Sequence, residues 1–230
     1  MLKLLFLVRL DQHNKLEVSM DGFLREQLRQ LFLRGAVVLR RPQYKSRPFK
    51  VDLEILDSDP MAREAVFKLL GTRVDAGAYD VIASVPDDCR NLAGMYAAKE
   101  GLHLLQPVEM TPDASSPLML YGKARPDAHV LVIAALNKIE SRQKMETHSV
   151  VRTLNVLRQN RLDPRKIIIL FDADRRARLK KMVNESYDSG IALEAIFDMT
   201  EVFRMLLADP QGFNLEEREI NEAKQHYEQM

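Results

Sequence analysis

The residues best suited to chemistry in this 230-residue chain are cationic, and they fall into two clusters. The early basic cluster contains Arg40, Arg41, Lys45, Arg47 and Lys50, with Tyr44 and Phe49 between them. The late basic cluster contains Arg175, Arg176, Arg178, Lys180 and Lys181. Cations beside aromatic rings suit a phosphate-rich ligand or a nucleic acid, because phosphate contacts and base stacking use these groups. The same pattern is typical of a solvated helix face, and both interpretations stay open at this point.

Nucleophilic and metal-binding groups are sparse. The five histidines are scattered along the chain without the spacing of a metal site. Cys89 is the one cysteine, and it stands where a helix is predicted to begin, a place that favours a thiolate. The neighbouring Asp87 and Asp88 oppose that charge. We therefore expect a buried cysteine, no disulfide, no metal and no cofactor.

Glycine is scarce, with nine in 230 residues. No two glycines are closer than six positions, so the chain contains no G-x-G. That spacing excludes the dinucleotide fingerprint and the glycine-rich loops that cradle phosphates in other enzymes.

Bulk composition indicates a folded, water-soluble protein, since 46% of residues are hydrophobic, 29% are charged and the formal net charge is +1. The apolar run Leu4–Val8 is interrupted by Arg9 and Asp11, which makes it too short for a membrane span. We predict that residues 1–20 form an arm or an added strand and that residues 21–230 form a single domain. One cysteine and the absence of a secretory pattern predict a cytoplasmic protein without membrane contact.

Strand and helix patterns alternate from residue 79 to residue 208, with short connections. The predicted strands are Tyr79–Val85, His103–Val108, Leu118–Tyr121, His129–Ile133, Lys166–Phe171 and Ile191–Phe197. The predicted helix caps are Asp21, Asp59 before Pro60, Thr200, and Asn214 together with Glu217. Gly101 is predicted to end the helix that begins near Cys89. This alternation is typical of an α/β fold with a doubly wound, mainly parallel sheet, whose ligands bind beyond the carboxyl ends of the strands.

Four stretches resemble, in order, motifs of the type I phosphoribosyltransferases, and of orotate phosphoribosyltransferases in particular. They are Arg47–Leu53, Ser58–Pro60, Tyr79–Pro86 and Asp127–Ile133. The resemblance covers about residues 22–228. It implies a core sheet with an N-terminal hood and a C-terminal helix, a tendency to form dimers, and a site for phosphoribosyl pyrophosphate.

At the positions where that family binds its substrate, this chain carries different residues. Counted from the strand, the two acids that hold the ribose hydroxyls fall on Ala134 and Ala135; counted back from the next helix, they fall on Ser141 and Arg142. The family's pyrophosphate loop, a small residue and two glycines, is replaced by Asp87, Asp88 and Cys89. Two carboxylates at that place would repel a pyrophosphate.

Two further family sites are changed. Thr147-His148-Ser149 stands where the 5′-phosphate loop should be, without its glycine. The stretch that corresponds to the mobile catalytic loop, residues 107–117, carries no positive charge. The family's orotate-contacting lysine falls near Arg41 or Pro42.

These changes predict a catalytically inactive relative that serves as a binding, regulatory or assembly module, either as a homodimer or with a protein partner. One alternative is an active orotate-type transferase with remodelled loops. Another is a nucleic-acid-binding regulator that uses the basic clusters. We assign no catalytic residue; the candidate ligand- or anion-binding residues are Arg41, Lys45, Arg47, Thr147, Ser149 and all five members of the late basic cluster.

Overall fold

The computed structural model describes residues 20–39, 49–86, 89–109, 118–137, 148–172, 178–187 and 190–228. The strands are β1 (Val37–Leu39), β2 (Phe49–Val51), β3 (Val81–Ser84), β4 (His103–Glu109), β5 (Leu118–Tyr121), β6 (His129–Asn137), β7 (Asp163–Asp172) and β8 (Ala192–Asp198). The helices are α1 (20–33), α2 (Leu53–Ser58), α3 (Pro60–Gly71), α4 (Arg90–Glu100), α5 (Ser149–Gln159), α6 (Arg178–Ser186), α7 (Met199–Ala208) and α8 (Glu217–Glu228), with a short 3₁₀ helix at Ala76–Ala78.

A six-stranded sheet in the order β5-β4-β3-β6-β7-β8 forms the centre of the fold. The pairs β3–β4, β3–β6, β6–β7 and β7–β8 are parallel, and only the edge pair β4–β5 is antiparallel. This mainly parallel α/β sheet is the predicted architecture. The chain moves outward from β3 to β4 and then returns to place β6 on the other side of β3. The strand order therefore reverses between β3 and β6.

The two faces of the sheet are covered by different helices, because the inner strands are apolar on both sides. Ile82, Leu131 and Ile133 pack on the face that carries α1, α3, α4 and α7. Val130 and Val132 pack on the opposite face, against α5 and α6. Each of these five side chains is 0% exposed. Burial of a large aliphatic side chain stabilises the fold by about 1.5–3 kcal/mol.

A small antiparallel pair, β1–β2, forms the described part of the hood predicted from the resemblance. Val37 lies opposite Val51, and Leu39 lies opposite Phe49. The Phe49 ring stacks on Phe203 of α7 with 5.0 Å between the ring centroids, which fixes the pair to the helical layer.

Two predicted helix boundaries are confirmed. The Asp59 carboxylate accepts the backbone N–H of Met61 at 2.8 Å, and Pro60 takes the first helical position of α3, where its missing N–H costs nothing. Gly101 ends α4 in the left-handed conformation with φ +70°, which a residue without Cβ adopts freely.

Three predicted caps are wrong. Residue 20 is already helical, so Asp21 lies inside α1. Asp198 caps α7 in place of Thr200, because its carboxylate accepts the backbone N–H of Glu201 at 2.8 Å.

The third wrong cap precedes α8. This helix begins after Glu216, whose backbone N–H donates to the Glu219 carboxylate at 2.9 Å. Asn214 lies in the preceding turn with φ +54°. The capping-box pattern is therefore present two residues later than the sequence indicated.

β6 and β7 extend beyond their predicted ends. β6 continues through Ala134 and Ala135 to Asn137, where it pairs with Asp172 of β7. The sequence predicts that β6 ends at Ile133, because alanine has little strand propensity. The hydrogen bonds between β6 and β7 override that preference. In the part of the chain that the structure describes, no helix has the length and apolar character needed to cross a membrane.

Candidate ligand site at the carboxyl edge of the sheet

The carboxyl ends of β3 and β6 meet where the strand order reverses, the usual place for a ligand crevice in an open α/β sheet. Ser84 pairs with Ile133 at this edge, and the Val85 N–H donates to the Ile133 carbonyl at 3.2 Å. Two helices begin on this side of the sheet, α4 after β3 and α5 after β6. Their first turns and the two strand ends form the candidate site.

Cys89 lies at the start of α4 and is 3% exposed, as the sequence analysis predicted for a buried cysteine. Its Sγ donates to the Ile133 carbonyl oxygen at 3.0 Å. The thiol therefore ties the start of α4 to β6 as a hydrogen-bond donor inside the protein. Asp87 and Asp88 lie outside the described residues.

Ala134 and Ala135 lie within β6, not in a loop after it, and are 1% and 0% exposed. Ala134 pairs with Ile169 of β7. Their methyl groups are packed in the two cores, which explains why small apolar residues stand here. A methyl group cannot accept a hydrogen bond from a ribose hydroxyl, so neither residue can perform the role of the family's acids.

The first turn of α5 is capped by the protein's own imidazole. His148 is 3% exposed, and its Nδ1 accepts the backbone N–H of Val150 at 3.3 Å. The first N–H groups of a helix are the groups that bind an anion, and here one of them already has a partner. Of the two candidate residues at this place, Ser149 is the first residue of α5 and half-buried, and Thr147 lies outside the described residues.

An ion pair between Arg152 and Glu109 lies directly beyond this cap. The guanidinium of Arg152, on α5, hydrogen-bonds the carboxylate of Glu109 at the end of β4. Their side chains are only 9% and 22% exposed. Glu109 therefore neutralises a cation in the first turns of α5, and it links that helix to the strand that precedes residues 110–117.

No sequence pattern considered above indicates this ion pair. Arg152 belongs to neither basic cluster, and Glu109 was noted only within a stretch that lacks positive charge. A usable signal was present, because Arg152 stands between the apolar residues Val151 and Leu154 of a predicted helix. A cation on a buried helix face requires a carboxylate partner, since an unpaired charge is costly to bury.

The structure does not gather the basic clusters into one described site. Arg41, Lys45, Arg47, Arg175 and Arg176 lie outside the described residues, and of Arg178 only the backbone, at the start of α6, is described.

The described lysines of both clusters are exposed. Lys180 and Lys181 are solvent-facing on α6, while Leu179 packs inward. Lys181 pairs with Glu185 one turn later at 3.8 Å. Lys50 of the early basic cluster pairs with Asp52 at 2.6 Å. These contacts fit solvated surface positions.

A second group of side chains, which the sequence did not indicate, lies at the ends of β7 and β8. Asp172 and Asp198 are paired in register, and the rings of Phe171 and Phe197 stack beside them with 5.4 Å between centroids. A narrow crevice adjoins these residues, and its walls are too close for a water-sized sphere. Asp198 caps α7, so this carboxylate serves the fold.

Glu201, in the first turn of α7, lies where its charged form is disfavoured. Burial raises the pKa of Glu201, and the neighbouring Asp198 carboxylate raises it further. Across the described ranges, no three His, Cys, Asp or Glu side chains lie close enough together to hold a metal ion.

No protein-family model matches the sequence. Among solved structures, UMP synthase from Leishmania donovani superposes with a TM-score of 0.63 at 17% identity over 90% of this chain. This chain spans only 42% of the length of that protein. Orotate phosphoribosyltransferase from Aeropyrum pernix gives a TM-score of 0.59 at 16% identity, covering 78% of this chain and 98% of that one.

A phosphoribosyltransferase from Corynebacterium diphtheriae gives a TM-score of 0.56 at 16% identity, with 80% of this chain and 98% of that chain covered. Identities this low establish the fold alone. The chain therefore has the fold of the type I phosphoribosyltransferases, as the resemblance of its sequence motifs predicted.

Proposed function

We propose that this chain is a catalytically inactive protein with a phosphoribosyltransferase fold, and that it serves as a binding, regulatory or assembly module. The observation that carries the proposal is that the protein's own side chains occupy the first turns of α5. His148 caps the helix, and Glu109 neutralises Arg152 beside the cap. A phosphorylated substrate would need these same groups.

The electrostatics of the α5 start support the proposal. A ligand phosphate placed there would meet the Glu109 carboxylate and would have to displace the His148 ring from the Val150 N–H. Two like charges 4 Å apart repel by roughly 4 kcal/mol at an effective dielectric constant of 20, and a phosphate carries more than one charge. Binding would also break the Glu109–Arg152 pair, which the protein stabilises by partial burial.

Three further described positions of the site, Ala134, Ala135 and Cys89, also lack groups that phosphoribosyl transfer uses. Ala134 and Ala135 offer no oxygen to the ribose hydroxyls. Cys89 is buried and engaged with Ile133. Transfer of a phosphoribosyl group depends on placing cations and hydrogen-bond donors around the leaving pyrophosphate.

The test is a turnover and binding experiment on the full chain. Orotate and phosphoribosyl pyrophosphate are incubated with magnesium, and orotidine monophosphate is measured, with an active orotate phosphoribosyltransferase assayed in parallel. The proposal predicts no product above the uncatalysed background and no calorimetric heat with phosphoribosyl pyrophosphate. Product formation at an enzyme-like rate contradicts it.

A second candidate is an active orotate-type phosphoribosyltransferase with remodelled loops. The likeness of the fold to orotate phosphoribosyltransferase structures favours it. In that case the segment 134–149, which ends β6 and leads into α5, would supply the missing groups. The same turnover experiment separates the two candidates, because only this one predicts orotidine monophosphate.

A protein without catalytic activity acts by binding a partner. We propose that the partner is either a second copy of the chain or another protein. Light scattering at micromolar concentration tests the first arrangement, since a homodimer doubles the 26.4 kDa mass of the chain. A monomer under these conditions contradicts the homodimer and leaves a different protein as the partner, which a pull-down from the native source identifies.

A further inference from the structure

The helices that cover the two faces of the central sheet differ in charge. On one face, α5 and α6 contain five arginine or lysine residues and a single acid, Glu185. One of the five cations, Arg152, is neutralised by Glu109. On the other face, α8 contains four glutamates and two cations, α2 contains two acids and no cation, and each remaining helix carries a net charge of 0 or +1. Among the helices, the excess of positive charge therefore lies on α5 and α6.

Arg158, at the end of α5, is exposed and is held in place by an aromatic ring. Its guanidinium carbon lies over Tyr187, 4.4 Å from the ring centroid. Tyr187 is buried, and its hydroxyl donates to the Val151 carbonyl at 3.2 Å, so the ring is fixed against α5. A guanidinium that is stacked in this way keeps its N–H groups available for an anion.

Arg161 stands at a position where glycine is usual. The Arg161 N–H donates to the Arg158 carbonyl at 2.9 Å, and the Leu162 N–H donates to the Leu157 carbonyl at 3.1 Å. These two bonds end α5 in a Schellman motif, which places Arg161 in the left-handed conformation with φ +58°. Glycine adopts this conformation without strain and arginine does not. The exposed cation is therefore what arginine adds here at the expense of stability.

Further cations extend this surface in both directions. The Asp127 N–H donates to the Arg161 carbonyl at 2.7 Å, which places the loop that carries Lys123 against the end of α5. In the other direction, Lys180 of α6 lies seven residues before Tyr187, or about 10 Å along the helix. Cations therefore occur along the outer side of both helices and in the adjoining loop.

Four acids adjoin these cations, and three of them hold a cation of their own. The ion pairs are Asp80–Arg125 at 2.9 Å, Asp163–Arg165 at 2.6 Å and Glu185–Lys181 at 3.8 Å. The fourth acid, Asp127, is exposed. Four exposed cations have no acidic partner among the described residues, and we call them the positive surface: Lys123, Arg158, Arg161 and Lys180.

The composition of the positive surface fits a nucleic acid better than a protein. None of the described large hydrophobic side chains that remain exposed belongs to α5 or α6. Protein interfaces have an apolar core rich in aromatic residues, whereas nucleic-acid interfaces are polar and positively charged. Single strands are bound by stacking bases on exposed rings, but α5 and α6 contain no aromatic residue. The backbone of a double helix requires only the cations.

We propose that the positive surface binds the phosphate backbone of double-helical nucleic acid without reading its sequence. Each strand of a duplex carries one phosphate per about 3.4 Å of its axis, so the distance of about 10 Å between Lys180 and the ring beneath Arg158 spans about three phosphates. The positive surface contains none of the residues that occupy the ligand site at the carboxyl edge of the sheet. The turnover experiment and the binding experiment can therefore fail independently.

Fluorescence anisotropy on the full chain tests the proposal with two labelled duplexes of about 20 base pairs, one of DNA and one of RNA. Four phosphate contacts predict a slope of about 3.6 for log Kd against log salt, so Kd rises roughly 150-fold between about 50 and 200 mM salt. We expect Arg158→Glu to weaken binding about tenfold or more at the lower salt concentration. Lys99→Glu is the matched control, because Lys99 also lies over a ring, that of Phe67 at 5.2 Å, but on the opposite face of the sheet.

A second variant, Arg161→Gly, separates binding from folding. Replacement of an arginine in the left-handed conformation by glycine should raise the urea midpoint of unfolding. Loss of one phosphate contact should weaken duplex binding about tenfold and lower the salt slope by about one. A purely structural role for Arg161 would leave duplex binding unchanged.

Absence of duplex binding by the wild type at about 50 mM salt overturns the proposal. So does equal weakening by Arg158→Glu and Lys99→Glu, with both shown to be folded by circular dichroism, or unchanged binding by Arg161→Gly. A single strand that binds more tightly than either duplex overturns the double-helical assignment. A polyglutamate peptide that binds as tightly as the duplexes indicates an acidic protein partner and overturns the nucleic acid.

Discussion

Removal of the Glu109 carboxylate takes an ion-pair partner away from the Arg152 guanidinium, at a position that is only 9% exposed. Breaking a buried ion pair by deleting one partner costs about 3–5 kcal/mol, because the remaining charge is desolvated without compensation. Glu109 itself is 22% exposed, so water can approach that end of the pair. We therefore expect Glu109→Ala to lower the free energy of unfolding by about 3 kcal/mol, near the low end of that range.

The assay is urea denaturation followed by circular dichroism, with thermal unfolding as a second measurement. For a domain of this size, a loss of about 3 kcal/mol corresponds to a fall in Tm of roughly 6–12 °C. Glu185→Ala is the matched control, since it breaks the exposed pair with Lys181, and its expected cost is below about 0.5 kcal/mol.

A double variant isolates the cause. Glu109→Ala combined with Arg152→Met removes both charges, so we expect it to recover much of the lost stability. If Glu109→Ala costs no more than Glu185→Ala, Arg152 is not held by Glu109 in solution. That result would refute the neutralised cation on which the inactive assignment depends.

Three further outcomes follow from described residues. Burial and a neighbouring acid raise the folded-state pKa of Glu201. The charged carboxylate therefore destabilises the folded state above that pKa, and this cost disappears below the unfolded value of 4.5. Glu201→Gln should stabilise the protein at neutral pH and lose this advantage in acid. Gly122→Ala should destabilise it by roughly 1–3 kcal/mol, since φ is +107° and the new Cβ would lie 2.7 Å from a β4 carbonyl oxygen, whereas Gly71→Ala, with open space around it, should not. The nucleic-acid alternative predicts a gel shift at low salt that weakens in the Lys180→Glu/Lys181→Glu variant; wild type without a shift contradicts that alternative.

The parallel sheet was predictable because its central strands are apolar on both faces. The runs around Ile82, Leu131 and Ile168 are bounded by helices with clear caps, and Asp59 and Gly101 act at the predicted places. Local pattern and tertiary structure agree at these positions, so sequence periodicity was sufficient.

The end of β6 depended on contacts distant in sequence, whereas the cap of α7 is a local contact that the sequence prediction placed two residues too late. Ala134 and Ala135 belong to β6 because β7 supplies a ladder of hydrogen bonds, which alanine's own preference does not reveal. Asp198 caps α7 in place of Thr200, because β8 ends at Asp198 and the carboxylate of Asp198 lies beside the Glu201 N–H. The first outcome is not encoded within a short window of sequence, whereas the second is a local contact between residues three positions apart.

The candidate site was likewise predictable from the sequence only in part. The absence of a carboxylate pair at Ala134 and Ala135 was visible in the sequence. The pairing of Arg152 with Glu109, 43 positions apart, was not, because it arises from the packing of α5 against the β4–β5 edge. The capping role of His148 was also hidden, since histidine is not a usual cap residue.

The most direct test of the central claim is calorimetric titration of phosphoribosyl pyrophosphate with magnesium into the full chain. The proposed function predicts no heat beyond dilution, because His148 and Glu109 already hold the groups that a phosphate would need. Saturable binding with a micromolar Kd would contradict it and would indicate that the ligand site at the carboxyl edge of the sheet is intact.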